Sequence, residues 1–166
     1  QLNTHLFFNH LAKTTILEMP HGSGTPGAEN SQFAGNLGPN YRELQHRPIV
    51  PEAEEAVVVE VVADDPQEIA VMTLWFAVNG GVWQNVDMLD VGSHQYRGTI
   101  PGQPASNVVQ FYVEGVDTAG AVSQFPAAGP EARALYKVQD GQALNELLQN
   151  LRIIMTPGDA AKLHEE

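Results

Sequence analysis

The region from Ala56 to Val138 consists of short runs rich in β-branched and aromatic residues, separated by turn residues about every ten positions. This pattern constrains the fold more than any other feature of the chain, because regularly spaced short strands are typical of all-β sandwiches. β-Branched side chains have few χ1 rotamers and pack well on a pleated sheet, so these runs favour strands over helices. The predicted strands are residues 56–62, 69–78, 82–86, 94–100, 108–116, 121–125 and 135–138. We therefore predict an all-β sandwich of about seven antiparallel strands.

Two of these runs alternate strictly and so indicate which side chains face the core. Successive side chains of a strand point to opposite faces, which separates an apolar set from the residues between them. The set predicted to face the core is Met72, Leu74, Phe76, Val78, Val109, Phe111 and Val113. Trp75 and Tyr112 then face outward. The turn residues at 79–81 tolerate positive φ and predict an antiparallel hairpin between residues 69–78 and 82–86.

The composition is that of a folded, acidic protein: of 166 residues, 43% are apolar, and the formal net charge is -12. This length allows one ordinary domain with flanking segments. The negative charge disfavours nucleic acids and anionic membranes as partners, since both are polyanionic. The chain has no cysteine, which excludes disulfides, thiol nucleophiles and cysteine-bound zinc. We expect no membrane insertion and no signal peptide in this segment, because it has neither a long apolar run nor a basic, then apolar, N-terminus.

The segments on either side of the predicted sandwich differ from it in character. Residues 20–40 are dense in glycine, asparagine and proline, which favour turns, so we predict that residues 1–47 are the end of a preceding domain and a linker. The sandwich is predicted to span residues 48–138. Residues 139–166 are predicted to be the truncated start of a following domain, a short α/β extension.

The predicted C-terminal extension rests on three patterns. Leucines with helical spacing occur at positions 144, 147, 148 and 151, and predict a short amphipathic helix. Residues 151–155 are predicted to form a buried strand. Thr156 and Pro157 have the residue types preferred at the N-cap and first position of a helix, so a second helix is predicted to begin there.

Three stretches of the predicted sandwich resemble bacterial fibronectin type III-like or immunoglobulin-like modules. They are residues 69–84, 99–102 and 109–117, and the resemblance covers residues 48–138. Residues 24–31 resemble the end of a lamin-tail-like domain, and residues 151–160 resemble the opening strand and helix of a CotH kinase-like domain.

The resemblance implies a large exported bacterial protein, located outside the cell or in the cell envelope. No nucleotide or metal residue of a kinase-like domain can be placed on the chain. The resemblance therefore implies a non-catalytic module that spaces and orients the neighbouring domains of its parent chain and has no cofactor. A binding module for carbohydrate, calcium or another protein is the alternative.

One candidate ligand site is an outward-facing aromatic group. Trp75, Trp83 and Tyr112 share the face opposite the predicted core if the hairpin register is as described, and such a strip suits stacking on sugar rings. Aromatic residues in this position also form cross-strand pairs that shield a sheet, or pack against a linker or a neighbouring domain. We expect residues 31–50 to provide such a cover.

The second candidate site is a calcium site made of carboxylates in two loops. Asp64, Asp65 and Glu68 lie in one loop and Asp117 follows another strand, and carboxylate oxygens are the ligands that Ca²⁺ prefers. The competing interpretation is stronger, because aspartate stabilises turns through its own backbone and the calcium-loop spacing with its glycine is missing.

No catalytic residue is predicted. The six histidines lack the spacing that brings two imidazoles to one metal, and neither a nucleophile elbow nor a phosphate-binding glycine loop occurs. We therefore predict that the chain is not an enzyme.

Overall fold

The computed structural model describes residues 35–132, 134–142 and 153–163, which contain nine strands and one α-helix. The first five strands are β1 (Asn40–Arg47), β2 (Val57–Asp64), β3 (Ile69–Val78), β4 (Gln84–Asp87) and β5 (Leu89–Asp90). They are followed by β6 (Gln95–Ile100), β7 (Val108–Asp117), β8 (Val122–Phe125), β9 (Leu135–Lys137) and the helix α1 (Pro157–Leu163). A 3-10 helical turn covers Gly129–Glu131. None of the helices in the described residues is long and apolar enough to cross a membrane.

The strands form two antiparallel sheets that pack face to face. One sheet has four strands in the order β1-β2-β6-β5, and the other has five, in the order β4-β3-β7-β8 with β9 also on β7. The strands can be lettered A to G in chain order, with β4 as C′ and with β8 and β9 together as G. The two sheets then have the orders ABED and C′CFG of an immunoglobulin-like sandwich. The predicted all-β sandwich is therefore confirmed, and the predicted hairpin is the β3-β4 pair.

The core lies between the sheets and is formed by alternate residues of the central strands. β2 alternates strictly between buried and half-buried positions, because one of its faces covers the other sheet. Of the residues predicted to face the core, all are buried except Val78, which is half-buried and packs against the cluster. The largest core contributions come from Leu74, Phe111 and Tyr136, each no more than 1% exposed.

β8 and β9 lie one after the other along the same edge of β7. β8 pairs with residues 113–116 of β7, and β9 pairs with residues 108–110. The chain between them leaves the sheet at Pro126 and returns at Ala134, forming the 3-10 turn on the way. The side chain of Gln110, which points outward, donates to the carbonyl oxygens of Pro130 and Ala132. Residues 126–132 and 134, which we call the covering segment, therefore lie over one end of the outer face of the five-stranded sheet.

β1 corrects the predicted N-terminal linker. Residues 40–47 pair with β2 along its length, so the sandwich includes residues that we assigned to a linker ending at 47. Tyr41 and Leu44 pack against the core, and His46 is 5% exposed between Phe111 and Tyr136. The boundary at residue 48 is thus wrong for this strand.

The C-terminal extension is partly as predicted. α1 begins at Pro157, and Thr156 caps it: its Oγ1 accepts a hydrogen bond from the backbone N–H of Asp159 at 3.2 Å. The predicted buried strand at 151–155 is wrong for the described residues 153–155. Ile153 is 74% exposed, and residues 153–156 form no strand. The predicted leucine helix falls on residues 143–152, and the lamin-tail-like stretch on residues 1–34, both outside the described residues.

Candidate functional site

The three aromatic residues singled out in the sequence meet on the outer face of the five-stranded sheet. Trp75 of β3 lies directly opposite Tyr112 of β7, so both side chains point to the same side. Their rings stack with centroids 6.1 Å apart and planes 9° from parallel. Trp83, just before β4, places its ring edge to face with Tyr112 at 5.0 Å and 70°. We call these three residues the aromatic cluster.

The cluster exposes its tryptophans and buries its tyrosine. Tyr112 is only 4% exposed, whereas Trp75 and Trp83 are half-buried. Burial raises the pKa of the Tyr112 phenol, and the charge of Glu114 raises it further. The ring surface open to a ligand therefore belongs to the two tryptophans, and Tyr112 is the support between them. The sequence alone did not distinguish these roles.

Glu114 holds the orientation of Trp75. One of its carboxylate oxygens accepts a hydrogen bond from the indole Nε1–H of Trp75 at 3.3 Å. The other accepts from the side-chain amide of Gln124 at 2.7 Å. Both partners of Glu114 are long side chains that would otherwise sample several rotamers, so these hydrogen bonds reduce the entropy that a ligand must remove.

The cross-strand register places a row of polar side chains beside the aromatic cluster. Thr73 lies opposite Asp87 on one side and Glu114 on the other, and Glu114 lies opposite Gln124. We call these four residues, which cross the sheet from β4 to β8, the polar row. The sequence pattern did not indicate this row as a site. Alternation already put Thr73 and Glu114 on the face of Trp75, but only the register of the neighbouring strands brings Asp87 and Gln124 into line with them.

The segment predicted to cover the aromatic cluster is not the one that contacts this face. We expected residues 31–50 to lie over the tryptophans, but residues 40–47 form β1 in the opposite sheet. The covering segment contacts the outer face instead, at Gln110 and Gln124. It thus borders the polar row at the β8 side and leaves Trp75 and Trp83 half-exposed.

The outer face of the four-stranded sheet has a different character. Its cross-strand contacts include two ion pairs: Arg97 pairs with Glu60 at 2.7 Å, and Arg42 pairs with Asp64. Exposed pairs of this kind contribute little to stability and keep a surface solvated. The aromatic side chains with outward-facing rings are therefore concentrated on one face of the sandwich.

Three of the four predicted calcium ligands have carboxylates engaged in other contacts, and the fourth, Glu68, takes part in the turn through its backbone. Asp64 pairs with Arg42, Asp65 accepts from the backbone N–H of Gln67 at 2.7 Å, and Glu68 has a positive φ of 64° in the same loop. Asp117 accepts from Ala121 N–H and from the Asn36 side chain. In the part of the chain that the structure describes, no three acidic or histidine side chains are grouped around a common point. The contacts of Asp65 and Asp117 are those expected of residues that stabilise turns.

Asp117 is buried, being 1% exposed, and organises the turn after β7. Burial works to raise the pKa of Asp117. Hydrogen bonds from the Asn36 side chain and from the backbone N–H groups of Ala121, Ala119 and Gly120 outweigh this effect and lower the pKa below its ordinary value of 3.8. The carboxylate form therefore stabilises the fold.

We expect Asp117→Asn to destabilise the protein at neutral pH and less so in acid. The unfolded chain binds more protons than the folded one between the lowered folded-state pKa and 3.8, so stability rises with pH in that window. The contribution of Asp117 is complete above the window and is lost as the pH falls through the folded-state pKa. Urea denaturation of both proteins between about pH 2.5 and 7 measures it. A difference between the two that stays constant with pH would contradict this assignment.

Two of the six histidines lie in the described residues, and one of them is buried while the other is exposed. The ring of His46 is packed edge-on against Phe111, with centroids 5.6 Å apart, and its Nδ1 lies 3.1 Å from the carbonyl oxygen of Pro48. His94 is exposed in the turn before β6. His46 is therefore a core residue of the sandwich.

No family model matches the chain, and no curated protein sequence matches it. Among solved structures, the chain is similar to one titled "Crystal structure of Br derivative BhCBM56", a carbohydrate-binding module. The similarity covers 57% of this chain and 88% of that chain, at 14% sequence identity and a TM-score of 0.41. At this score the similarity carries no argument about the ligand, which has to be argued from the geometry of the outer face.

Proposed function

We propose that the chain is a non-catalytic β-sandwich module that binds carbohydrate on the outer face of its five-stranded sheet. The observation that carries the proposal is the pair of half-exposed tryptophans around Tyr112, directly beside a row of hydrogen-bonding side chains. Sugar rings have apolar C–H faces and hydroxyl edges. Aromatic surface next to fixed polar groups complements both.

The preorganised state of the site supports this proposal over a purely structural role for the cluster. A shielding tryptophan needs only to cover the sheet, but Trp75 is also oriented by Glu114, which is itself held by Gln124 at 2.7 Å. Fixed orientation lowers the entropic cost of binding a ligand.

We expect Trp75→Ala to weaken carbohydrate binding about tenfold or more, since one of the two exposed stacking surfaces is lost. Affinity electrophoresis against soluble polysaccharides, followed by calorimetry on the best ligand, measures the effect. Trp75→Phe keeps a ring but loses the donor to Glu114, so its affinity should lie between those of Trp75→Ala and the unchanged protein.

Leu89→Ala is the matched control for this experiment. Leu89 is 70% exposed, lies in the four-stranded sheet and is not on the proposed face, so its loss should leave binding unchanged. Near-ultraviolet circular dichroism establishes that each variant is folded. If folded Trp75→Ala binds as well as the unchanged protein, the site is not the aromatic cluster.

We also propose, from the resemblance to modules of exported bacterial proteins, that the module acts outside the cell and spaces neighbouring domains of its parent chain. The proposal is supported by the ionic outer face of the four-stranded sheet, which stays solvated and leaves the module free to sit between domains. Small-angle scattering of a longer stretch of the parent protein tests it. A fixed separation of the flanking domains is expected, and freely varying separations would contradict the spacer role.

A further inference from the structure

The rows of side chains that cross the sheet indicate which class of glycan this site binds. This inference rests on the proposed function. Next to the polar row, on the side away from the tryptophans, three valines lie opposite one another: Val71 pairs with Val116, and Val116 pairs with Val122. Val71 is 49% exposed and Val122 is 55% exposed. We call these three residues the valine row.

The polar row therefore runs between two apolar rows. Residues two positions apart along a strand share a face, so Trp75, Thr73 and Val71 follow one another on β3, and Tyr112, Glu114 and Val116 on β7. The aromatic cluster stands on one side of the polar row, and the small valines lie on the other. A ligand lying along the polar row would place its polar edge on it and its apolar surface against the tryptophans and valines.

The direction of the polar row sets the shape of the ligand. Its members are on adjacent strands, which are about 4.8 Å apart, so four strands give a row about 14 Å long. The strand spacing is close to the length of one hexose in an extended glycan. A row of this length matches about three consecutive sugars. The row ends at Asp87 on the exposed edge strand β4, so a chain can continue past the site in that direction.

The charges of the face set the chemistry of the ligand. Glu114 and Asp87 are carboxylates within the polar row. Among the described residues of the five-stranded sheet, the one cationic side chain is that of Lys137. Its Nζ is paired with a carboxylate oxygen of Asp140 at 2.7 Å. A sugar acid or sulfate on the row would face like charges, which would weaken its binding. Hydroxyl and amino groups, in contrast, donate hydrogen bonds to carboxylates.

We propose that the site binds the interior of an extended, non-acidic glycan chain, neutral or amino-substituted, that lies across the strands from β4 to β8. Hydroxyl or ammonium groups of successive sugars donate to Asp87 and Glu114, and Gln124 and Thr73 supply neutral partners. The chain's ends are not recognised.

Calorimetry with oligosaccharides of increasing length tests the shape. We use neutral and amino-sugar oligomers of two to six units, with free and with reduced ends. Affinity is expected to rise up to about three units, by about tenfold overall, and then to level off, because longer chains add no further strands. Reduction of the end sugar should not change the affinity of the longer oligomers. Full affinity for a disaccharide, or a loss of affinity on reduction of the end, would overturn the inference and leave the proposed function standing.

Acidic oligosaccharides of the same lengths test the chemistry. They are expected to bind at least about tenfold more weakly than the neutral ones at low salt. Glu114→Gln should reduce this discrimination, because the charge is removed while an acceptor and an amide remain. Glu60→Gln is the matched control: it removes one carboxylate from the outer face of the other sheet and should leave the discrimination unchanged.

The outcomes distinguish carbohydrate binding as such from the inferred class of glycan. Acidic oligosaccharides that bind as tightly as neutral ones overturn the inference, while sensitivity to Trp75→Ala in the same assay keeps carbohydrate binding in place. An absence of binding to every oligosaccharide and polysaccharide overturns both, and the outer face is then a surface for another domain.

Discussion

Phe111→Ala is expected to lower the free energy of unfolding by about 3 to 5 kcal/mol, the largest single effect among our predictions. Phe111 has no exposed surface and lies at the centre of β7, the most deeply buried strand. Its ring packs against His46 and Tyr136, with centroids 5.6 and 6.2 Å away. Because both sheets close over this position, the surroundings relax into the space only in part and a cavity is left behind.

Urea denaturation followed by tryptophan fluorescence measures this change. Val82→Ala is the control: Val82 is 85% exposed, so its truncation is expected to cost at most about 0.5 kcal/mol. An unchanged denaturation midpoint for Phe111→Ala would contradict the assignment of this face of β7 to the core.

Gly102→Ala is expected to have the second-largest effect on stability, about 1 to 3 kcal/mol. A Cβ added at Gly102 would lie 2.8 Å from the Cα of Glu54 and closer still to its carbonyl group. These are backbone atoms, which cannot rotate away as a side chain would. The loop at residues 52–55 is held there by the hydrogen bond from Glu54 N–H to the Gln103 carbonyl, 2.9 Å long, so the two segments would have to separate.

Gly35→Ala is the matched control, since a Cβ there meets no atom within 4 Å. It is expected to leave the midpoint of denaturation within the error of the measurement. If Gly102→Ala also leaves the midpoint unchanged, the close approach of the two loops is not maintained in solution.

Alternation of apolar and polar residues was enough to predict most strands of the sandwich. β3 begins and ends at the residues predicted, Ile69 and Val78, and β7 extends one residue past its prediction. These strands are central to their sheet. One face of each must be apolar to cover the core, so the period of two is strong in the sequence.

β1 was missed because it lies at an edge of its sheet and carries little of this pattern. Its apolar contacts come from Tyr41, which precedes the register shift between Arg42 and Gln45, and from Leu44, which lies within that shift. A bulge breaks the period of two, and hydrogen bonds to β2 supply much of what holds the strand in place. The strand forms because it pairs with β2, and the eight residues of its own sequence do not indicate that pairing.

The candidate site was predicted in part. Alternation put Trp75 and Tyr112 on the outer face, and the structure brings them together with Trp83. The burial of Tyr112 and the hydrogen bond from Trp75 to Glu114 were not predicted, because both depend on which residues of neighbouring strands are level with each other.

Local periodicity thus establishes the fold class, most strands and the face to which each of their side chains points, since these follow from the geometry of a single extended segment. The rows that cross the sheet are decided by the tertiary structure. Asp87, Thr73, Glu114 and Gln124 are up to 51 positions apart in the chain and are aligned only by the register of four strands. Register is set by long-range packing of the core and by the turns together, so no single segment contains it.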